Sequence, residues 1–465
     1  MGVERGQHMW RYCTVVESEA RCRSEMGILS RSILYYILAI FGASVGILRL
    51  SFYSHAIESD YFTLYIRYLS LASLLALIMG MSVGESADFY LPRFIAKKSH
   101  AAYVALVLSL FVIALRRYSI LLAIAVLSYL ILPSLSLRLL QPVFLLPIAL
   151  VGLSLTLTSV LATCTRSRRR FLVFQSFHSV SRSILPLGLV FFITASGYGY
   201  YLTPSVLLWF DGVFSMAISS VLLYSLLSDL LPTSARSVWR IILLAFRRSI
   251  RPFSLLFNTS AATYSGAGRI FDAFPSFVDK FILSFKLDPG ELATYLACWS
   301  VATAIEIVSN IQLQPIFNSL GSLIAASDQD RSTQPVPLNL GISQVSIHIV
   351  KIVAVGAGLM GIAVVAVKLQ LASILFKGAY VSPGLLIIFC FVAILSAVAS
   401  LYSQFLVVSG QGVSYFVISL CFTVAFIGLL LTHDIYNSLM FIAIGILVLR
   451  SVQAGLYRMA ISRAG

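Results

Sequence analysis

Charge is what this sequence has least of. Only 11% of its 465 residues are Asp, Glu, Lys or Arg, while 59% are hydrophobic. Soluble globular chains carry about 25% charged and about 45–50% apolar residues, so a soluble enzyme of this length and a disordered chain are both excluded. Cysteine and histidine are scarce and scattered. Cys13, Cys22, Cys164, Cys298, Cys390 and Cys421 form no CxxC pair, and the histidines form no HExxH, so neither a disulfide framework nor a zinc site is indicated. No GxxxxGK[ST] stretch marks an ATP site. No cofactor or metal is therefore expected. The alternating segments of an outer-membrane barrel are missing too.

Long continuous apolar runs take their place, each near the roughly 20 residues that a transmembrane helix needs. The runs predict spans near 33–53, 63–84, 102–127, 141–163, 171–194, 204–228, 256–284, 294–317, 345–367, 385–408, 414–432 and 436–453. The expected fold is an all-α membrane protein of about twelve transmembrane helices, in two pseudo-symmetric six-helix bundles around a central cavity. Residues 118–134 either prolong the third span or make a short extra one.

The net charge of +15 fits cation-rich cytoplasmic loops better than nucleic-acid binding. Arg5, Arg11, Arg21, Arg23 and Arg31 precede the first span. Arg93, Lys97 and Lys98, then Arg166 and Arg168 to Arg170, then Arg236, Arg240, Arg247, Arg248 and Arg251 fall in alternate connections, with Arg331, Arg450, Arg458 and Arg463 completing the set. The opposite, outer loops at 54–62, 195–203, 285–293 and 433–435 are short and cation-poor. Both termini are thus expected in the cytoplasm and the chain in the inner (plasma) membrane. The first 30 residues carry Glu4, Glu17, Glu19 and Glu25 and no apolar core, so they are not a signal peptide. Met26 opens MGILSRSILYY, and residues 1–25 are expected to be dispensable.

The division expected is a tail at 1–30, a first bundle at 31–228, a linker at 229–252, a second bundle at 253–455 and a tail at 456–465. SDYFTLY (59–65) and PGELATY (289–295) precede the second and eighth spans at an offset of 230. Two halves in one orientation are the parallel-repeat design, with a site between them. In the linker, SVWRIILLAFRRSIR places Arg240, Arg247 and Arg251 on one face, as an interfacial helix requires.

Ionisable residues inside spans are expensive and mark function by default. Arg49, Arg67, Arg116, Arg117 and Arg182 lie in the first half with one acid, Asp211. Arg269, Asp272, Asp279, Lys280, Glu306 and Lys351 lie in the second. Arg269 and Asp272 are i,i+3 neighbours expected to pair, and Glu306, Asn310 and Gln314 form an inward stripe. Arg49 and Asp279 occupy equivalent places in the two halves and suggest an outer latch, with pairing inside one half as the alternative. Arg116 and Arg117 are expected to line a cavity, or else to sit in an outer turn.

Two stretches carry a resemblance. DKFILSFKLDPGELATYLACWSVATAIEIVSNIQLQPIFNSLGSLIAA (279–326), with Asp279, Lys280, Tyr295 and Pro315, resembles the seventh–eighth span region of bacterial polysaccharide-type flippases. ESDYFTLYIRYLSLASLLALIMGMSVGESADFYLPRFIAKK (58–98) is similar to their second span. These belong to the multidrug/oligosaccharidyl-lipid/polysaccharide flippase superfamily. The resemblance implies a non-enzymatic transporter that flips a polyprenyl-diphosphate-linked oligosaccharide outward for exopolysaccharide, capsule or O-antigen synthesis. It implies a monomer that cooperates with glycosyltransferases and a polysaccharide polymerase. Arginine forks bind phosphate oxygens well, so Arg67, Arg116, Arg117 and Arg182 are the expected substrate ligands. Arg49, Asp279, Lys280, Asp211, Arg269, Asp272, Glu306 and Lys351 are the expected gate or ion-coupling groups. The alternatives are a multidrug or cation antiporter of the same superfamily and a polyprenyl-sugar polymerase or ligase.

Overall fold

The computed structural model describes residues 40–80, 99–131, 142–167, 182–228, 260–311, 338–368, 381–408, 411–432 and 438–464, with single positions between these stretches. The tail at 1–30 and the linker at 229–252 lie outside them, apart from isolated positions. The first half comprises α1 (40–56), α2 (Ser59–Met79), α3 (His100–Ile131), α4 (Pro142–Ser167), α5 (Arg182–Ala195) and α6 (Pro204–Leu227). In the second half α7 (Ser260–Ala273) and α8 (Pro275–Lys286) share the seventh span. α9 (Pro289–Ile311), α10 (Leu338–Lys368), α11 (Pro383–Val408), α12 (Gly412–Leu431) and α13 (Leu439–Ala464) follow. Among the described residues nine helices are long and apolar enough to cross a membrane, and α5 is a shorter apolar helix. α3 runs unbroken to Ile131, so 118–131 prolongs the third span and Arg116 and Arg117 do not sit in a turn.

Local sequence explains where the helices begin. Pro142, Pro204, Pro289 and Pro383 open α4, α6, α9 and α11, because a first-turn residue has no intrahelical use for its amide and proline has none. Thr203 caps α6, its hydroxyl accepting from the Val206 amide. Pro275 divides the seventh span, since a proline ring cannot continue the preceding hydrogen-bond ladder. Gly212 in α6 lies against Leu150 of α4, where a Cβ would come within 3.0 Å of the leucine side chain. That close approach seats the neighbouring Asp211 in the first bundle.

At one end the two halves share an apolar core. Tyr53, Phe62, Tyr65, Leu207 and Leu208 of the first half are contiguous with Val278, Leu283, Leu287, Leu292 and Tyr295 of the second. α2 makes the crossing, packing on α7, α8 and α9. Toward the opposite end the core divides. Val83, Leu91, Tyr103, Leu110, Leu161 and Leu226 cluster in the first half alone, and Ala399, Leu406, Tyr415, Tyr457 and Ile461 cluster in the second alone. Among the described residues the halves thus share a core at one end and keep separate cores at the other.

Candidate functional site

Asp211 of α6 is buried at 2% exposure and receives two bonds from other helices. Arg49 Nη1 of α1 donates to Oδ1 at 2.8 Å, and the Tyr65 hydroxyl of α2 donates to Oδ2 at 2.5 Å. The Tyr53 ring stands edge-on to Tyr65 at 5.5 Å. The Tyr65 hydroxyl thus satisfies the carboxylate oxygen that Arg49 does not engage, as a buried ion pair requires. Arg49 therefore pairs within its own half. The latch expected between Arg49 and Asp279 is replaced by the within-half alternative, because α6 presents a carboxylate directly to α1.

Asp279 of α8 is fully buried and is held in the corresponding way. Tyr295 of α9 donates to its Oδ2 at 2.6 Å. The adjacent Lys280 supplies the cation, with Nζ 3.4 Å from Oδ1 of Asp279 and 2.6 Å from the Ser276 carbonyl. Nζ also lies 4.5 Å from the centre of the Trp299 ring, a cation–π contact.

A second carboxylate cluster lies about two turns further in. Gln453 of α13 donates to Asp272 Oδ1 at 2.8 Å, and Arg450 Nη1 approaches the same oxygen at 3.5 Å. Arg450 also donates to Gln453 Oε1 at 2.7 Å, and Gln453 donates to the Tyr457 hydroxyl at 3.0 Å. The partners of Asp272 thus include the last span as well as whatever its neighbour Arg269 contributes. Arg450 belongs to this buried network instead of the C-terminal cytoplasmic charge. Half-buried Glu306 of α9 stands in electrostatic reach of Arg450, Asp272 and Lys280, linking the two clusters.

The expected phosphate ligands whose side chains are described do not converge. Arg67 reaches across to the second half, with Nη2 donating to the Ser284 carbonyl at 2.6 Å and Nε to Ser284 Oγ at 3.2 Å. Arg117 Nη1 donates to the Met79 carbonyl at 2.7 Å, at the end of α2. Arg67 and Met79 are twelve residues apart on that helix, hence about 18 Å. Arg116 is exposed on α3, and Lys351 is exposed on α10. Arg182 opens α5, but its side chain is outside the described residues, as are those of Asn310 and Gln314. Sequence reasoning did not single out Tyr65, Arg450 or Gln453 as site residues. The repeat held the signal for the first, since Tyr65 and Tyr295 are equivalent at the offset of 230.

No protein-family model matches the chain, and no curated protein matches it. Solved structures do. One is the outward-facing conformation of a multidrug resistance MATE family transporter of the MOP superfamily, with a TM-score of 0.55 and 14% identity over 93% of this chain and 96% of that one. Another is MATE in complex with MaL6, with a TM-score of 0.62 at 14% identity over the same shares. An inward-facing conformation of a multidrug resistance MATE family transporter matches with a TM-score of 0.50 and 13% identity, over 93% of this chain and 98% of that one. The likeness spans both halves and establishes the fold.

Proposed function

We propose that this chain is a membrane transporter that works by alternating access between its two halves. One observation carries the reading: a single apolar core joins the halves at the outer end, while separate cores hold them at the inner end. Rocking two such bodies about a shared site is how parallel-repeat transporters move cargo.

For the cargo, the names of the solved neighbours support a multidrug or cation antiporter more than a lipid-linked-oligosaccharide flippase. In this first reading, exchange of a coupling ion centres on the second half, where Glu306 is half-buried beside Asp272, Arg450 and Lys280. Organic-cation efflux from cells expressing the chain tests it. Efflux that rises with expression, and is lost in a correctly inserted Glu306→Gln variant, is expected; efflux unaffected by Glu306→Gln removes the coupling role.

A second reading keeps the flippase, because basic side chains outnumber acids inside the spans. Arg49, Arg67, Arg116, Arg117, Arg269, Lys280, Lys351 and Arg450 stand against Asp211, Asp272, Asp279 and Glu306. An excess of intramembrane cations suits an anionic passenger such as a diphosphate-linked sugar, whose headgroup cannot cross hydrocarbon unaided. Outward movement would then be aided by an inside-negative potential, about 2.3 kcal/mol per charge per 100 mV. This reading expects lipid-linked sugar to accumulate in the cytoplasmic leaflet of a deletion strain; an unchanged lipid-linked pool with lost organic-cation efflux leaves the antiporter alone.

A further inference from the structure

Arg67 is the residue whose placement departs furthest from its expected role. It lies eight residues into α2, about 12 Å from the outer end of that helix, and its guanidinium is spent on α8 of the opposite half. Two of its nitrogens bond Ser284, through the backbone carbonyl and the hydroxyl. The guanidinium carbon sits 3.7 Å above the centre of the Phe285 ring. Ser284 and Phe285 fall in the last turn of α8, where the helix dipole concentrates negative partial charge. A carbonyl there, a hydroxyl and an aromatic face are three acceptors that suit one planar cation.

A second polar contact joins the halves. The Lys377 amide of the second half donates to Ser54 Oγ at the outer end of α1, at 3.3 Å. The fused apolar core lies around these polar contacts, with Ile66 and Tyr68 flanking Arg67 on α2 and Leu283 preceding Ser284 on α8. By contrast, the ion pairs of Arg49 and of Lys280 close within single halves and so can move as rigid parts of their own bundles.

We propose that Arg67 is the clasp of the outer gate: it holds the outer ends of the halves together in the inward-open state and is released when the cleft opens outward. Its work is conformational, and the proposal holds for either cargo. All three acceptors belong to the C-terminal turn of one short helix, α8, which Pro275 separates from α7. A small rotation of α8 against α2 would remove them together, which is the behaviour required of a gate contact.

The test is a distance measurement on the full chain in lipid nanodiscs. Spin labels are placed at two exposed outer positions, Tyr61 of α2 and Glu291 of α9, on a chain with Cys13, Cys22 and Cys421 changed to serine. The unaltered clasp should give predominantly the shorter separation. Arg67→Ala should raise the longer-separation population at least about tenfold, the effect of losing one hydrogen bond to a charged group. Arg67→Lys should fall between, since an ammonium cannot donate through a flat fork and stack on Phe285 at once. Phe285→Leu keeps both hydrogen bonds and should open the gate less than Arg67→Ala, which separates loss of the clasp from general misfolding. An Arg67→Ala protein that is monodisperse and keeps the short separation overturns the proposal. So does an equal opening in Arg67→Ala and in Ser54→Ala, because Arg67 would then be no more the clasp than the weaker Ser54 contact.

Discussion

The two halves solve one electrostatic problem in two ways. Each buries a carboxylate near one end of the bundle and satisfies it with a tyrosine hydroxyl from the second span of that half, Tyr65 on Asp211 and Tyr295 on Asp279. The tyrosines are equivalent across the repeat, but the acids are not. In the first half the acid comes from α6 and the cation from α1, so one ion pair and one hydrogen bond tie three helices together. In the second half acid and cation are neighbours on α8, and the tyrosine bond and the Lys280–Trp299 contact join two helices, α8 and α9. The second half also carries the further network of Asp272, Arg450 and Gln453, with Glu306 beside it. The first half thus concentrates its ion pair at one end, while the second distributes its charge along the bundle.

This contrast makes Asp211→Ala the most damaging change. It strands Arg49 among apolar helices, and removing one member of a buried pair destabilises by about 3–5 kcal/mol. Asp279→Ala should be milder, about 1–3 kcal/mol, because Lys280 keeps the Ser276 carbonyl and the Trp299 face. Denaturant unfolding of the purified protein measures both, and equal losses would erase the distinction between the halves.

Next come Tyr65→Phe and Tyr295→Phe. Each deletes one hydrogen bond to a buried carboxylate, expected at about 1.5–3 kcal/mol, and the two losses should match within error. A large inequality would show that the repeat equivalence is one of position only. Replacing the whole ion pair, Arg49→Met with Asp211→Leu, should bring stability back to within about 1–2 kcal/mol of the starting protein, since no charge is left unpaired. The smallest effect belongs to Arg49 and Asp279 taken together. Their double-mutant coupling should stay below about 0.5 kcal/mol, the level of independent sites. A coupling several times larger would restore the outer latch that their equivalent positions suggest.

Much of the architecture was legible in the residue order. The spans expected from 141, 204 and 385 begin within two residues of the helix starts at Pro142, Pro204 and Pro383, and the offset that aligns SDYFTLY with PGELATY aligned the two tyrosines. The ionisable residues were legible as a set, because every charge in an apolar run must find a partner or water. Which partner each found was not. Arg49 and Asp279 looked complementary by register, yet Asp211 from 162 residues further along the chain took Arg49. Arg450 read as a cytoplasmic flanking charge, yet α13 turns it onto Asp272. Arg67 read as a phosphate ligand, yet it faces a carbonyl and an aromatic ring of the other half.

Composition and hydrophobic run length by themselves determined that this is an all-helical membrane chain, because hydrocarbon admits backbone only when its polar groups are satisfied within the segment. They also determined which side chains would be under electrostatic constraint. Only the tertiary structure decided the pairings and the apolar core that the two halves share. Helix identity depends on neighbours within a few residues, whereas an ion pair depends on the rotation and height of two helices at once, which the packing of all the others sets.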